Sequence, residues 1–272
     1  MLRAAAFILS VCLPIAIYCS EAALNALPHS MTAGNTQTAR TDVWSAFGNP
    51  ASLVQEERWQ AGIGYENRYF TSELSTASVQ AGYCNRYVNV GIGYSFFGYN
   101  IYNEMMATIV LARSFGRFSI GLAADFIAVY GGNHTGYLCT AIPQIGLTIN
   151  ATEKLTFGIQ TFNPFIQTLN RDELLLKLPA IYTVGSDWRF IDGLRWSIEA
   201  EYDASSTWRI ATGVEWQAIR ELCLKIGVQY RQYVIPSLGI GMFFGNFSAD
   251  VNADIHPVLG VALSCRLAYK WK

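Results

Sequence analysis

The sequence predicts an all-β fold: a transmembrane antiparallel up-and-down β-barrel of about fourteen strands over residues 59–272. Three observations point to it. From Trp59 to Trp271 the chain repeats one device, a run of about ten residues alternating apolar with small or polar side chains, followed by a turn. Hydrophobic residues make up 51% of the chain and charged ones only 14%, against roughly 25% charged in soluble domains. Beyond residue 22, however, no run of about eighteen apolar residues exists that could form a spanning helix. A closed barrel places its apolar face in lipid while pairing every backbone group, which reconciles these facts.

At the N-terminus, Arg3 precedes the apolar stretch Ala4 to Tyr18, with Ser20 and Ala22 flanking Glu21. This is the charged, apolar and small-residue order of a secretory signal peptide, expected over residues 1–22 with cleavage after Ala22. The apolar stretch is short for a bilayer anchor and is broken by Pro14. Tyr18, bulky and directly before Cys19, argues against a lipoprotein signal.

Residues 23–58 lack the alternation and stand apart from the barrel. Strands are then expected at 59–68, 75–84, 86–96, 103–113, 117–130, 138–149 and 154–162. They continue at 178–189, 194–203, 207–217, 221–231, 234–244, 246–254 and 258–271. Around Phe118, for instance, Phe118, Ile120, Leu122, Ala124 and Phe126 share one face, and Ser119, Gly121, Ala123 and Asp125 the other. Short connections such as Ser114 to Arg117 alternate with longer ones such as Asn163 to Leu178. Outer-membrane barrels have short periplasmic turns and longer outer loops, so both chain ends belong on the periplasmic side. Trp59, Tyr83, Trp188, Trp196, Trp216, Tyr269 and Trp271 fall near the short turns, and Tyr130, Tyr202, Trp208 and Tyr230 near the long loops, as two interfacial girdles require.

The face opposite the apolar one is rich in glycine, including Gly62, Gly64, Gly82, Gly91, Gly93, Gly213, Gly227, Gly239 and Gly241. Glycine in a strand marks either close approach by another group or a bend, and the sequence leaves both readings open. The same face carries charges, among them Glu66, Asp125, Arg195, Glu201, Asp250 and Arg266. Glu199, Arg209, Glu215 and Lys225 fall on neighbouring strands, where a cross-strand ladder of lumen charges is expected. Such a network is structural or lines a path for polar solutes.

The 23–58 segment contains Met31-Thr-Ala-Gly-Asn-Thr-Gln-Thr-Ala-Arg-Thr-Asp-Val-Trp-Ser-Ala-Phe-Gly-Asn-Pro-Ala-Ser-Leu53. This resembles the N-terminal segment of the FadL-like outer-membrane superfamily and its PorV/PorQ branch, in which a Gly-rich stretch leads into Asn-Pro-Ala-Gly-Leu. Asn49, Pro50, Ala51 and Leu53 match, and Ser52 replaces the usual glycine. The resemblance implies that residues 23–58 fold into the lumen as a hatch or plug. Local chemistry suits that role. Pro50 pushes Asn49 out of the helical region, so a short helix over 41–47 should stop there, with Val43, Trp44 and Phe47 on one face. Asn49, Pro50, Ala51, Trp44 and Phe47 are therefore the expected hatch and gating residues.

Catalytic chemistry has no foothold in the sequence: GxSxG, HExxH and P-loop patterns are missing, and His29, His134 and His256 are scattered. No enzyme activity, metal or cofactor is expected. A net charge of −1 without a basic block argues against nucleic acid. Cys84, Cys139, Cys223 and Cys265 show no CxxC spacing and are expected as free thiols. Two functions follow from the resemblance. One is hatch-gated passage of small hydrophobic or amphipathic molecules across the outer membrane. The other is a non-transporting partner of type IX secretion or surface attachment, working with secretion-machinery proteins. Modest outer loops favour the first.

Overall fold

Alternating side chains build strands with one apolar and one polar face, and fourteen of them close into a single barrel. The computed structural model describes residues 24–271 apart from 42, 55–58, 133–135, 172–173 and 205–206. The expected signal peptide, residues 1–22, lies outside the described residues. The wall comprises β1 (Trp59–Arg68), β2 (Ser75–Tyr83), β3 (Asn89–Gly98), β4 (Tyr102–Phe115), β5 (Phe118–Gly131), β6 (Tyr137–Asn150) and β7 (Leu155–Phe162). After a separate hairpin of β8 (Thr168–Arg171) and β9 (Leu174–Lys177) it continues with β10 (Ile181–Ile191), β11 (Leu194–Asp203), β12 (Thr207–Ile219) and β13 (Leu222–Tyr230). β14 (Val234–Phe244), β15 (Phe247–His256) and β16 (Gly260–Trp271) complete it. Wall neighbours pair antiparallel, and β16 returns to β1 in a register running from Trp59 opposite Trp271 to Arg68 opposite Ala262. Closure leaves no strand edge unpaired around the ring.

Two expectations need correction. β3 begins at Asn89, not 86, because the Asn85 side chain accepts the N–H groups of Tyr87 (2.7 Å) and Val88 (3.0 Å) and holds a turn there. β10 begins at Ile181, not 178: Pro179 has no N–H to give to a two-sided ladder, and the long connection before it holds the β8–β9 hairpin.

The faces separate as the alternation dictates. On β5, Phe118, Ile120, Leu122 and Phe126 point outward and are about half exposed, while Ser119, Ala123 and Asp125 point inward and are buried. Cys139 and Cys265 lie outward, Cys84 and Cys223 are buried, and all four are free thiols. Outward aromatics pair at both rims, across strands or, for Tyr269 and Trp271, along β16. Trp59–Tyr83 (4.6 Å) and Tyr269–Trp271 (4.4 Å) lie by the short turns, Tyr202–Trp208 (4.7 Å) and Tyr130–Tyr137 (5.3 Å) by the long loops.

Candidate functional site: the lumen and the N-terminal segment

Residues 24–54 run against the inner wall and are almost entirely buried, with short 3₁₀ turns at Ala33–Asn35, Val43–Phe47 and Pro50–Leu53. So little regular structure leaves main-chain N–H groups unsatisfied, and buried N–H groups need acceptors. Wall carboxylates supply them. Glu104 accepts the Ala26 N–H (3.0 Å), and Glu199 accepts those of Gln37 and Thr38 (2.8 Å each). Glu215 accepts the Ala33 N–H (3.1 Å), and the Ser237 hydroxyl oxygen accepts that of Gly34 (3.0 Å). In the reverse sense, Lys225 Nζ donates to the Met31 carbonyl (2.8 Å) and Arg266 to the His29 carbonyl. His29 Nδ1 meets Glu66 at 2.8 Å.

The inward glycines fall into two sets. Four pairs of them are register partners: Gly82 with Gly91, Gly121 with Gly146, Gly158 with Gly185, and Gly213 with Gly227. Each pair receives one piece of the segment, respectively Leu53, Asn49–Ala51, Thr38 and Ala33–Gly34. A Cβ on Gly121 would strike the Pro50–Ala51 backbone, and one on Gly213 the Ala33 backbone. Close approach therefore explains these positions. Gly239 and Gly241 differ, since they face the wall side chains Asn252 and Asp250.

Each of the sequence-selected residues has a definite place. Trp44 and Phe47 are three apart on a 3₁₀ turn, where such side chains eclipse, and their rings stack at 6.5 Å. Trp44 rests on Gly62 and Gly64 with the Arg266 guanidinium 4.4 Å above its ring, and Phe47 rests on Gly93. The Val43 side chain lies outside the described residues. Asn49 is extended (φ −69°, ψ 115°), and its Oδ1 accepts the Ala51 N–H at 3.0 Å, capping the turn that Pro50 opens. Its Nδ2 donates to the Thr38 carbonyl (2.6 Å), tying two passes of the segment together.

The four residues of the expected charge ladder divide into two groups. Arg209 bridges Glu199 and Glu201, the latter at 3.1 Å. Glu215 and Lys225 are register partners but take other partners: Glu215 pairs with Arg40 of the segment, and Lys225 with Asp250 at 2.5 Å. Arg40 and Glu104 escaped the sequence reading. Arg40 lies in a segment without period, and Glu104 at the very start of its strand, where alternation is hardest to phase.

The lumen wall is apolar on one side and charged elsewhere. Toward the long loops, Phe97, Met106, Ile127, Leu138, Ile142 and Phe162 from β3–β7 form an apolar cluster that also takes Leu169 from the β8–β9 hairpin. Toward the short turns lies a cavity of about 820 Å³, lined by Arg40, Arg189, Arg195, Glu215, Lys225 and Asp250 among others.

Neither a protein-family model nor a curated protein sequence matches this chain. Solved structures do match. The fold is that shared by monoaromatic hydrocarbon channels. CymD, a monoaromatic hydrocarbon channel, aligns over 92% of this chain and 99% of its own, with a TM-score of 0.69 at 12% identity. The Pseudomonas putida toluene transporter TodX aligns over 89% of this chain and 96% of its own, with a TM-score of 0.68 at 10% identity. A second TodX structure gives a TM-score of 0.71 at 9% identity, over 88% of this chain and 97% of its own. At these identities the likeness is one of fold. It fits the FadL-like side of the resemblance carried by residues 31–53 and is not specific to the PorV/PorQ branch.

Proposed function

We propose that this chain is an outer-membrane channel for small hydrophobic or amphipathic molecules, with residues 23–58 as its hatch. The observation that carries the reading is the apolar cluster inside the barrel. Inward-facing Phe97, Met106, Ile127, Leu138, Ile142 and Phe162 make the β3–β7 side of the lumen apolar and cluster with Trp44 and Phe47 of the segment, where a water-filled pore keeps a polar interior. An apolar wall of that character suits apolar molecules. The fold relatives named as toluene and monoaromatic hydrocarbon channels support the same substrate class. The outward apolar band and two aromatic rims support a bilayer location for the wall.

The hatch reading rests on the seating of the segment in paired glycine notches and on carboxylates that hold its main chain. Asn49, Pro50, Ala51, Trp44 and Phe47 act as its gating residues: the first three set the turn, and the two rings fill the space between wall and segment. Deleting Thr36 to Phe47 tests this in planar bilayers. The expected result is a heat-modifiable barrel with raised single-channel conductance, and uptake of toluene into vesicles by the intact protein. Normal insertion with unchanged conductance and no toluene uptake would overturn the channel reading. It would favour the secretion-partner alternative, with the segment as a docking element.

A further inference from the structure

Charge is unevenly spread among the short turns. Those after β6, β10 and β12 hold both signs: Glu153 beside Lys154, Asp192 near Arg189, and Glu221 beside Arg220. The turns after β2 and β4 hold cations only. Arg86 lies in the first, and Arg117 in the second, just past Arg113 at the end of β4. β2 to β5 are consecutive in the wall, and Asn89 faces Ala112 where the β3–β4 ladder ends at this rim. Arg86, Arg113 and Arg117 therefore fall on one arc.

Arg113 points outward, in line with Ile109 and Leu111 of the same face. Its guanidinium carbon lies 5.2 Å from the centre of the Phe115 ring, and that of Arg86 lies 5.0 Å from the Tyr87 ring. Both rings are exposed, as is Phe118, the register partner of Phe115. A guanidinium resting on a ring keeps its in-plane N–H donors available. None of the three arginines has an ion pair or a side-chain hydrogen bond among the described residues. An arginine on a lipid-facing strand costs little at headgroup level and much at the midplane. The arc thus combines cations, rings and, further along the outward face, the half-exposed Ile109, Leu111, Ile120 and Leu122.

We infer that Arg86, Arg113 and Arg117 form, with the rings of Tyr87 and Phe115, a binding site for an anionic glycerophospholipid of the leaflet at the short turns. The lipid phosphate accepts from the guanidinium N–H groups, and the acyl chains lie along Ile109, Leu111, Ile120 and Leu122. Charge complementarity selects the headgroup: the arc has no carboxylate to offset three cations, so a phosphatidylcholine headgroup, which carries its own cation, is the poorer fit. The inference uses the bilayer location of the wall and is independent of what the lumen carries.

The test uses the intact protein in detergent, titrated with dioleoyl phosphatidylglycerol or dioleoyl phosphatidylcholine, with bound lipid counted by native mass spectrometry. Phosphatidylglycerol should bind about tenfold tighter. Arg86→Gln with Arg113→Gln should bring the two lipids to within about twofold. Lys154→Gln with Arg220→Gln removes the same charge from other turns and should leave the preference in place. Both double variants are checked for heat-modifiable folding. Equal binding of the two lipids by the unaltered protein overturns the inference. So does a preference that survives the first double variant, or one that falls equally in the second, which would assign it to the overall charge of the rim. Binding of neither lipid overturns it too, and joined to failure to insert into vesicles it overturns the bilayer location of the wall.

Discussion

Gly213 and Gly227 are register partners on β12 and β13, and the Ala33–Gly34 peptide lies in the notch left by their missing side chains. The Gly34 N–H donates to Ser237 from within that notch, and the Ala33 N–H donates to Glu215. The fit is between backbones, so neither partner can move aside by changing a rotamer.

Substitution in the notch should therefore expel the segment without dissolving the barrel. Gly213→Val is expected to force an overlap with Ala33 that costs about 1–3 kcal/mol. The strands retain their ladder, and the barrel should still shift on a gel when boiled. Residues 31–40 should become sensitive to added protease, and conductance should rise. Gly245→Val serves as the comparison, because nothing stands within 4 Å of the Cβ it would add. Its φ of +61° strains a valine, so it should lower barrel stability while leaving conductance unchanged.

Glu199 and Arg209 should be worth more as a pair than singly. Glu199 is buried, pairs with Arg209, and holds the Gln37 and Thr38 N–H groups at 2.8 Å. Glu199→Leu leaves a buried guanidinium with Glu201 as its remaining carboxylate partner and two main-chain donors unmet, an expected loss of about 3–5 kcal/mol. Adding Arg209→Met should recover part of that loss, since the uncompensated charge is gone. Urea unfolding of the reconstituted protein measures both variants. A double variant no more stable than Glu199→Leu alone would show that the main-chain contacts, not the ion pair, dominate.

The outward face offers a direct test of its solvent. Ile109 sits mid-strand on β4, 58% exposed. Against water, Ile109→Arg would be nearly neutral. Against hydrocarbon near the bilayer midplane it should cost about 2–4 kcal/mol and slow insertion into vesicles. Insertion rate and urea midpoint in lipid report the difference.

Sequence alone determined the wall. Alternation with period two separates inward from outward residues along most of each strand, and together with the connections it gives a strand count near fourteen. The turn at Asn49–Pro50 was equally legible, because proline restricts the residue before it whatever surrounds them. Tertiary structure alone decided what meets the inner face. Glycine signals that space is needed and not what fills it, so Gly213 and Gly239 look alike in the sequence while one holds the segment and the other a wall side chain. Glu215 and Lys225 were correctly placed on adjacent strands, and their register is as expected. Each nonetheless turns to a partner off the adjacent strand, Glu215 to Arg40, which no periodicity announces, and Lys225 to Asp250, two strands away. Residues 24–54 have no repeat that ties position to direction. Only the closed ring, by bringing fourteen inward faces around one strand-free segment, determines which carboxylate meets which N–H.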